Sequence, residues 1–336
     1  MEQKYSTQIQ EIASLIKSRY LANIHLKGSP THTPLLKSEY LSNLIEGDVY
    51  LKHEQLQETG SFKYRGAFTK IQTLSKAEKK RGVIAASTGN HGVAVAKAAL
   101  ISHTPATLFL PKNTSKLKQE KILNYGAEIQ FVEGSCFEAE MAAKAYAAQH
   151  QKTFISPYND LDVISGQGGI GFEITQDLDD IDSVLISVGG GGLISGIGSF
   201  IKAQSTSHQN PKQTEIVGCW PENSPILYEC LKAGQVIHVN EQPTLSDATA
   251  GNIEENSITL GIAQQTIDQL HLVSETSIQE AMQLCLKHEG LVIEGSAGVA
   301  IASLIQNKQA YTHKRVVVVL CGRNIEWSQY LQLIQH

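Results

Sequence analysis

The chain of 336 residues is long enough for one large or two moderate domains with a substantial buried core. Its formal charge of −5 is dispersed, with neither a basic patch nor an acidic tail, which argues against nucleic acid as a partner. Five scattered cysteines form no C-x-x-C pair and fit reduced thiols in a cytoplasmic protein, and no apolar run reaches membrane-spanning length, so no membrane partner is expected.

The first residues are polar, and Ile9, Ile12, Ile16 and Tyr20 then follow at helical spacing, so the segment reads as an amphipathic helix rather than a signal peptide. Residues 49–52 (VYLK) read as a strand, and G-S-F-K-Y-R-G-A follows at 60–67. That frame sets one lysine, Lys63, beside Phe62 and between glycines. A lysine there either opens an ordinary helix or, once desolvated, becomes a nucleophile near neutral pH, against a free pKa of about 10.4. Residues 83–86 (VIAA) predict a second strand, then the turn S-T-G-N-H-G at 87–92, then a helix over 93–100. The turn gathers hydroxyls, an amide and helix-start N–H groups, which serve either as N-cap chemistry or as a carboxylate or ring-hydroxyl site. A strand at 106–110 stopped by Pro111, a helix at 116–125, a strand at 128–132 and an alanine-rich helix at 137–150 complete a βαβα rhythm. Such alternation with fully apolar strands predicts a parallel sheet covered by helices on both faces.

The loop at 156–159 is the expected crossing into a second lobe, whose strands read at 183–188, 215–218 and 315–320. Gly166, Gly168 and Gly171 match G-x-G-x-x-G, but the residues before them (159–162, NDLD) are loop-like, so a dinucleotide site there is weakly supported. Directly after the 183–188 strand come Gly189, Gly190, Gly191 and Gly192, then Leu193. Four glycines in succession cost conformational entropy and are hard to explain by packing. Their backbone N–H groups can converge on an anion such as a phosphate; the alternative is a flexible tight turn. No Gly-Lys-Ser/Thr follows, so this is not a Walker A loop. Cys321 ends the apolar run at 316–320, where open α/β sheets bind ligands, although it serves equally as a small core hydrophobe.

From T-P-L at 33–35 through the lysine frame, the 87–92 turn and the glycine run to C-G-R-N at 321–324, these segments span nearly the whole chain. In that order they resemble the fold-type II pyridoxal 5′-phosphate (PLP) enzymes, in the threonine/serine dehydratase (ammonia-lyase) branch, near serine racemase and the hydroxyectoine-utilisation dehydratases. The resemblance implies an α/β fold similar to tryptophan synthase β: two domains, three αβα layers and parallel-rich twisted sheets. It implies a large cofactor-binding domain of residues 1–81 and 156–336, and a small domain of 82–155 closing over the substrate. Lys63 would form the internal Schiff base beside Phe62, and Asn90 would hydrogen-bond the pyridine 3′-hydroxyl. Gly189, Gly190, Gly191, Gly192 and Leu193 would hold the phosphate, and Cys321 would face the pyridine nitrogen. Ser87, Thr88, Gly89, Asn90 and His91 would receive the substrate carboxylate. The implied reaction is β-elimination of a β-hydroxy amino acid such as L-threonine or L-serine to a 2-oxo acid and ammonia. In it the freed Lys63 amine is the base, and the phosphate can protonate the departing hydroxyl.

Departures from the family pattern narrow the expectation. Thr88 stands where racemases carry serine, and its methyl restricts χ1, which disfavours racemase over dehydratase activity. Racemisation or β-replacement remains the alternative, and a nucleotide-dependent oxidoreductase built on Gly166, Gly168 and Gly171 the remote one. Trp220 takes the place of a glutamate used by divalent-metal relatives, with Glu222 the nearby substitute, so no metal is expected. Arg323 replaces a common glycine and either contacts a second substrate carboxylate or pairs with Glu294 or Glu326. Asp247 and Glu294 are expected behind the site or in ion pairs. The short stretch after Cys321 suits a compact catabolic enzyme without a regulatory domain, acting on a small amino acid and assembling as a homodimer.

Overall fold

A computed structural model describes residues 6–204 and 213–335. Among these, ten strands form two sheets: β1 (Leu35–Lys37), β2 (Asp48–Lys52), β3 (Val83–Ala86), β4 (Ala106–Pro111), β5 (Glu128–Val132), β6 (Thr153–Phe154), β7 (Ser183–Ser187), β8 (Glu215–Pro221), β9 (Gln269–Val273) and β10 (Arg315–Val319). The larger sheet runs β1-β2-β10-β7-β8-β9 and the smaller β5-β4-β3-β6. Every neighbouring pair is parallel except β1 with β2. The α/β architecture with parallel-rich sheets is the one expected. Strands β7 (SVLIS) and β10 (RVVVV) are buried along almost their whole length, as both-face helix cover requires.

Three strands were not legible in the sequence. β6 has two residues, β1 three, and β9 (QLHLV) is a half-exposed edge strand with little apolar excess. β8 also extends through Cys219 and Trp220 to Pro221, past the expected end at 218. The G-x-G-x-x-G match is overturned as a nucleotide turn. Its glycines lie inside the helix Leu161–Asp177, which Asp160 caps by accepting from Asp162 N–H (2.8 Å) and Val163 N–H (3.1 Å). They are packing surfaces: a Cβ on Gly168 would approach Ile16 Cδ1 to 2.5 Å, where the Thr7–Asn23 helix crosses. The oxidoreductase alternative loses its only support.

The helix Lys63–Thr73 packs against the helices Asn90–Ile101 and Leu161–Asp177. Tyr64, Ala67, Phe68 and Ile71 pack into the core of the smaller sheet with Val83, Val95 and Leu108. Its other side carries Arg65, whose Nη2 donates to Glu54 Oε1 (2.8 Å) and Nη1 to Glu173 Oε1 (2.7 Å). Lys52 completes this buried cluster at 2.7 Å from Glu173. The start of the lysine helix is thus fixed by ionic contacts to Glu54, just after β2, and to Glu173 of the helix Leu161–Asp177.

Candidate active site

Lys63 is the first residue of its helix, and the residues before it are tied to the end of β10. Ser61 bridges Gly322, and the Phe62 N–H donates to the Cys321 carbonyl at 3.1 Å. This register brings Phe62, Lys63 and Cys321 to one chamber, together with Asn90 and residues 187–194. Lys63 Nζ donates to the Pro157 carbonyl at 2.9 Å. Burial lowers its pKa to about 8, opposed by the Glu294 carboxylate. The Cys321 thiol, pushed well up by burial, stays neutral and lends Lys63 no charge near pH 7.

The glycine run leads from β7 into the helix Gly192–Gln204. Gly191 adopts φ +87°, a conformation that favours glycine. Packing also demands glycine here, contrary to the sequence reading: a Cβ on Gly190 would lie 2.5 Å from the Tyr158 ring. Both reasons leave the loop's N–H groups bare of side chains toward the chamber. Beside it the Ser187 hydroxyl is buried and, among the described residues, has no hydrogen-bond partner. An amine of lowered pKa, an unsatisfied hydroxyl and a bare helix-start loop fit a phosphorylated aldehyde. Gly190→Ala should overpack the Tyr158 ring at a cost of roughly 1–3 kcal/mol. Cofactor titration of the stripped variant should then show affinity reduced at least about tenfold.

A second, larger chamber adjoins the first through Lys63, Asn90 and Glu294, and is walled by Ser87, Thr88, Gly89 and His91. The sequence-predicted site residues are therefore divided between two connected spaces that share Lys63 and Asn90. Ser87 Oγ accepts from the Gly89 N–H at 3.2 Å. His91 Nε2 donates to the Ile155 carbonyl at 2.8 Å, and burial lowers its pKa to about 3. The ring is neutral, its one N–H is engaged, and its Nδ1 is an acceptor. The side chain thus has no proton to offer a carboxylate, and the role expected of His91 is narrowed to its main-chain N–H at the helix start.

Glu294, expected behind the site or in an ion pair, lines both chambers and supports Asn90, a contact the sequence did not reveal. Asn90 Nδ2 donates to its Oε1 (2.8 Å), the Asn324 N–H donates to its Oε2 (2.9 Å), and Asn324 Nδ2 donates to Asn90 Oδ1 (2.7 Å). Asn90 Nδ2 also donates to Glu294 Oε2 at 3.1 Å, so Asn90 is oriented at both ends, its amide held by the carboxylate and its carbonyl oxygen by Asn324. The expected pairing with Arg323 is corrected: Arg323 is exposed, and among the described residues it forms no salt bridge with Glu294 or Glu326. Burial raises the Glu294 pKa to about 7, partly offset by the Asn90 hydrogen bond. Trp220 is wholly buried in β8, edge-on to Tyr228, while Glu222 is exposed.

A carboxyl whose folded pKa lies above its unfolded value loses stabilising influence as pH rises from the unfolded pKa through the folded one. For Glu294 that window runs from about 4.5 to about 7. Glu294→Gln has no such titration, so the thermal stability of the stripped variant relative to wild type should increase from pH 5 to pH 8. A pH-independent difference in melting temperature would contradict this.

These features define a PLP enzyme, and comparison with known proteins agrees. The family described as "Pyridoxal-phosphate dependent enzyme" matches residues 26–322, so the chain belongs to that family and uses pyridoxal 5′-phosphate. L-threonine ammonia-lyase of Thermotoga maritima is 40% identical over 310 residues, covering 92% of this chain and 75% of that protein. The catabolic L-threonine dehydratase of Escherichia coli K12 is 33% identical over 320 residues, covering 94% and 93%. Among solved structures, the processed form of threonine deaminase isoform 2 from Solanum lycopersicum matches with a TM-score of 0.89 at 30% identity over 96% of this chain and 92% of that one. Maize serine racemase matches with a TM-score of 0.85 at 26% identity over 96% and 98%.

Proposed function

We propose that the chain is an ammonia-lyase that eliminates water from a β-hydroxy amino acid such as L-threonine or L-serine, giving a 2-oxo acid and ammonia. The observation that carries the reading is the Lys63 amine, its proton loosened by burial, facing Asn90 and the glycine loop in one chamber. Relatives named as threonine ammonia-lyase and dehydratase over most of the chain support it.

Lys63 would hold the cofactor through its side-chain nitrogen, with the main chain of Gly189, Gly190, Gly191, Gly192 and Leu193 around the phosphate. Asn90, held by Glu294 and Asn324, would hydrogen-bond the ring oxygen, and the neutral Cys321 thiol would face the ring nitrogen. Bound there, the cofactor supplies the electron sink that acidifies the substrate Cα–H. Lys63, released to a free amine, takes that proton, and a pKa near 8 suits an amine that must alternate between base and acid close to neutrality. The 87–92 turn receives the α-carboxylate through hydroxyls and helix-start N–H groups. Thr88, half-buried in the wall of the larger chamber, would approach the substrate face away from Lys63. Residues 82–155 would close over the substrate as a small domain against 1–81 and 156–336.

The racemase reading has maize serine racemase in its favour, and counting 2-oxo acid released per amino acid consumed separates the two. Turnover of serine, threonine, 3-hydroxyaspartate and phenylserine, followed as 2-oxo acid, tests the whole reading; no product from any of the four overturns it. A cytoplasmic homodimer is the proposed setting. Four of the five free cysteines are buried, and among the described residues no helix is long and apolar enough to cross a membrane.

A further inference from the structure

The reaction leaves two lysines of the helix Lys116–Leu123 without a task. Lys118 and Lys121 are three residues apart, hence on one face of the helix, and both line the larger chamber with Lys63, Thr88 and Asn90. Both are half-buried, and among the described residues neither ammonium makes a hydrogen bond or an ion pair. Lys116, on the same helix, is exposed and does not line the chamber.

The carboxylates lining the same chamber have other attachments. Glu140 pairs with Lys144 at 2.7 Å, Glu326 accepts from Ser115 Oγ at 3.0 Å, and Glu294 accepts from Asn90 and Asn324. Asp247, which also lines the chamber, is exposed to solvent, and its carboxylate accepts from the Ala248 N–H. The two ammonium groups still act across the chamber, Lys118 on Asp247 and Lys121 on Glu294. Partly desolvated cations with no paired anion favour an anionic ligand between them. The cofactor phosphate is not that ligand, because the glycine loop lines the other chamber, which neither lysine reaches. The α-carboxylate already has the 87–92 turn. Arg323, which the sequence offered for a second carboxylate, is exposed and does not line the chamber.

We propose that Lys118 and Lys121 bind a second, distal carboxylate, and that the preferred substrate is an acidic β-hydroxy amino acid of the 3-hydroxyaspartate class. This rests on the β-elimination reading above. The step balances as it does for threonine: the Cα proton and the β-hydroxyl leave as water, and hydrolysis then releases ammonia and a dicarboxylic 2-oxo acid.

The test compares kcat/KM for 3-hydroxyaspartate and L-threonine in the wild-type holoenzyme and in Lys118→Met, Lys121→Met and the double variant. Wild type is expected to favour the dicarboxylic substrate. The selectivity ratio should fall about tenfold per lysine removed, mainly through KM, the size of one charge-assisted hydrogen bond. Succinate, as a competitive inhibitor of threonine turnover, should weaken in parallel with the ratio. An unchanged ratio, or equal losses on both substrates, overturns the proposal, the second by assigning the lysines to the α-carboxylate. Threonine turnover without a dicarboxylate preference overturns only the lysine assignment. No turnover of either amino acid overturns the elimination reading and this inference with it.

Discussion

Lys63→Ala is expected to lower 2-oxo acid formation from L-threonine by at least about 10³-fold, within the range a positioned acid–base group contributes. The variant loses both the nitrogen that would tether the cofactor and the base that would take the Cα proton. The fold should survive, because the lysine begins its helix and is only half-buried. Removing a cation that burial has already made costly relieves a penalty rather than creating one. Circular dichroism and the urea midpoint should therefore remain near wild type while turnover collapses. In wild type, borohydride reduction followed by peptide mass spectrometry should find the cofactor mass on the peptide containing Lys63, and in Lys63→Ala on none. Cofactor fixed to another lysine, or full turnover by the variant, would sink the assignment.

The parts of this site that the sequence carried were those whose residue types are unusual where they stand. Four consecutive glycines after a buried strand and a lone lysine in a glycine-flanked frame have few structural reasons to exist, so local chemistry was enough to single them out. Even there the reason was incomplete: Gly190 is required by the Tyr158 ring as well as by any anion. Strand β10, with four consecutive valines, could be read as buried on both faces, whereas β9 at the sheet edge carried no such signal. The contact of Glu294 with Asn90 escaped for a different reason. The two lie 204 residues apart in sequence and meet only because the helix starts after β3 and at Gly295 converge on the same chamber. No local pattern encodes such a meeting. His91 shows the opposite failure, a residue type suited to catalysis whose N–H is already given to Ile155.

Arg65→Met should be the most destabilising single change near the site, lowering unfolding free energy by about 3–5 kcal/mol, the usual cost of leaving buried charges unpaired. Arg65 is 2% exposed and its fork serves two carboxylates at once: Nε and Nη2 reach Glu54 at 2.8 Å each, and Nη1 and Nη2 reach Glu173 at 2.7 Å each. Methionine keeps most of the volume, so the loss is electrostatic and not a cavity. The two acids would not suffer equally. Glu173 retains Lys52 at 2.7 Å, whereas Glu54 keeps only the Thr33 hydroxyl at 2.6 Å and a long 3.4 Å bond from Gln57. Glu54→Gln added to Arg65→Met should therefore recover part of the lost urea resistance, and Glu173→Gln should recover less. Arg65→Lys should resemble the methionine variant more than wild type, because a single ammonium cannot span both carboxylates. Lys63 lies two residues before Arg65 at the same helix start, so cofactor affinity should fall along with stability. Equal recovery by the two glutamine variants would show that Lys52 does not shield Glu173 as the distances require.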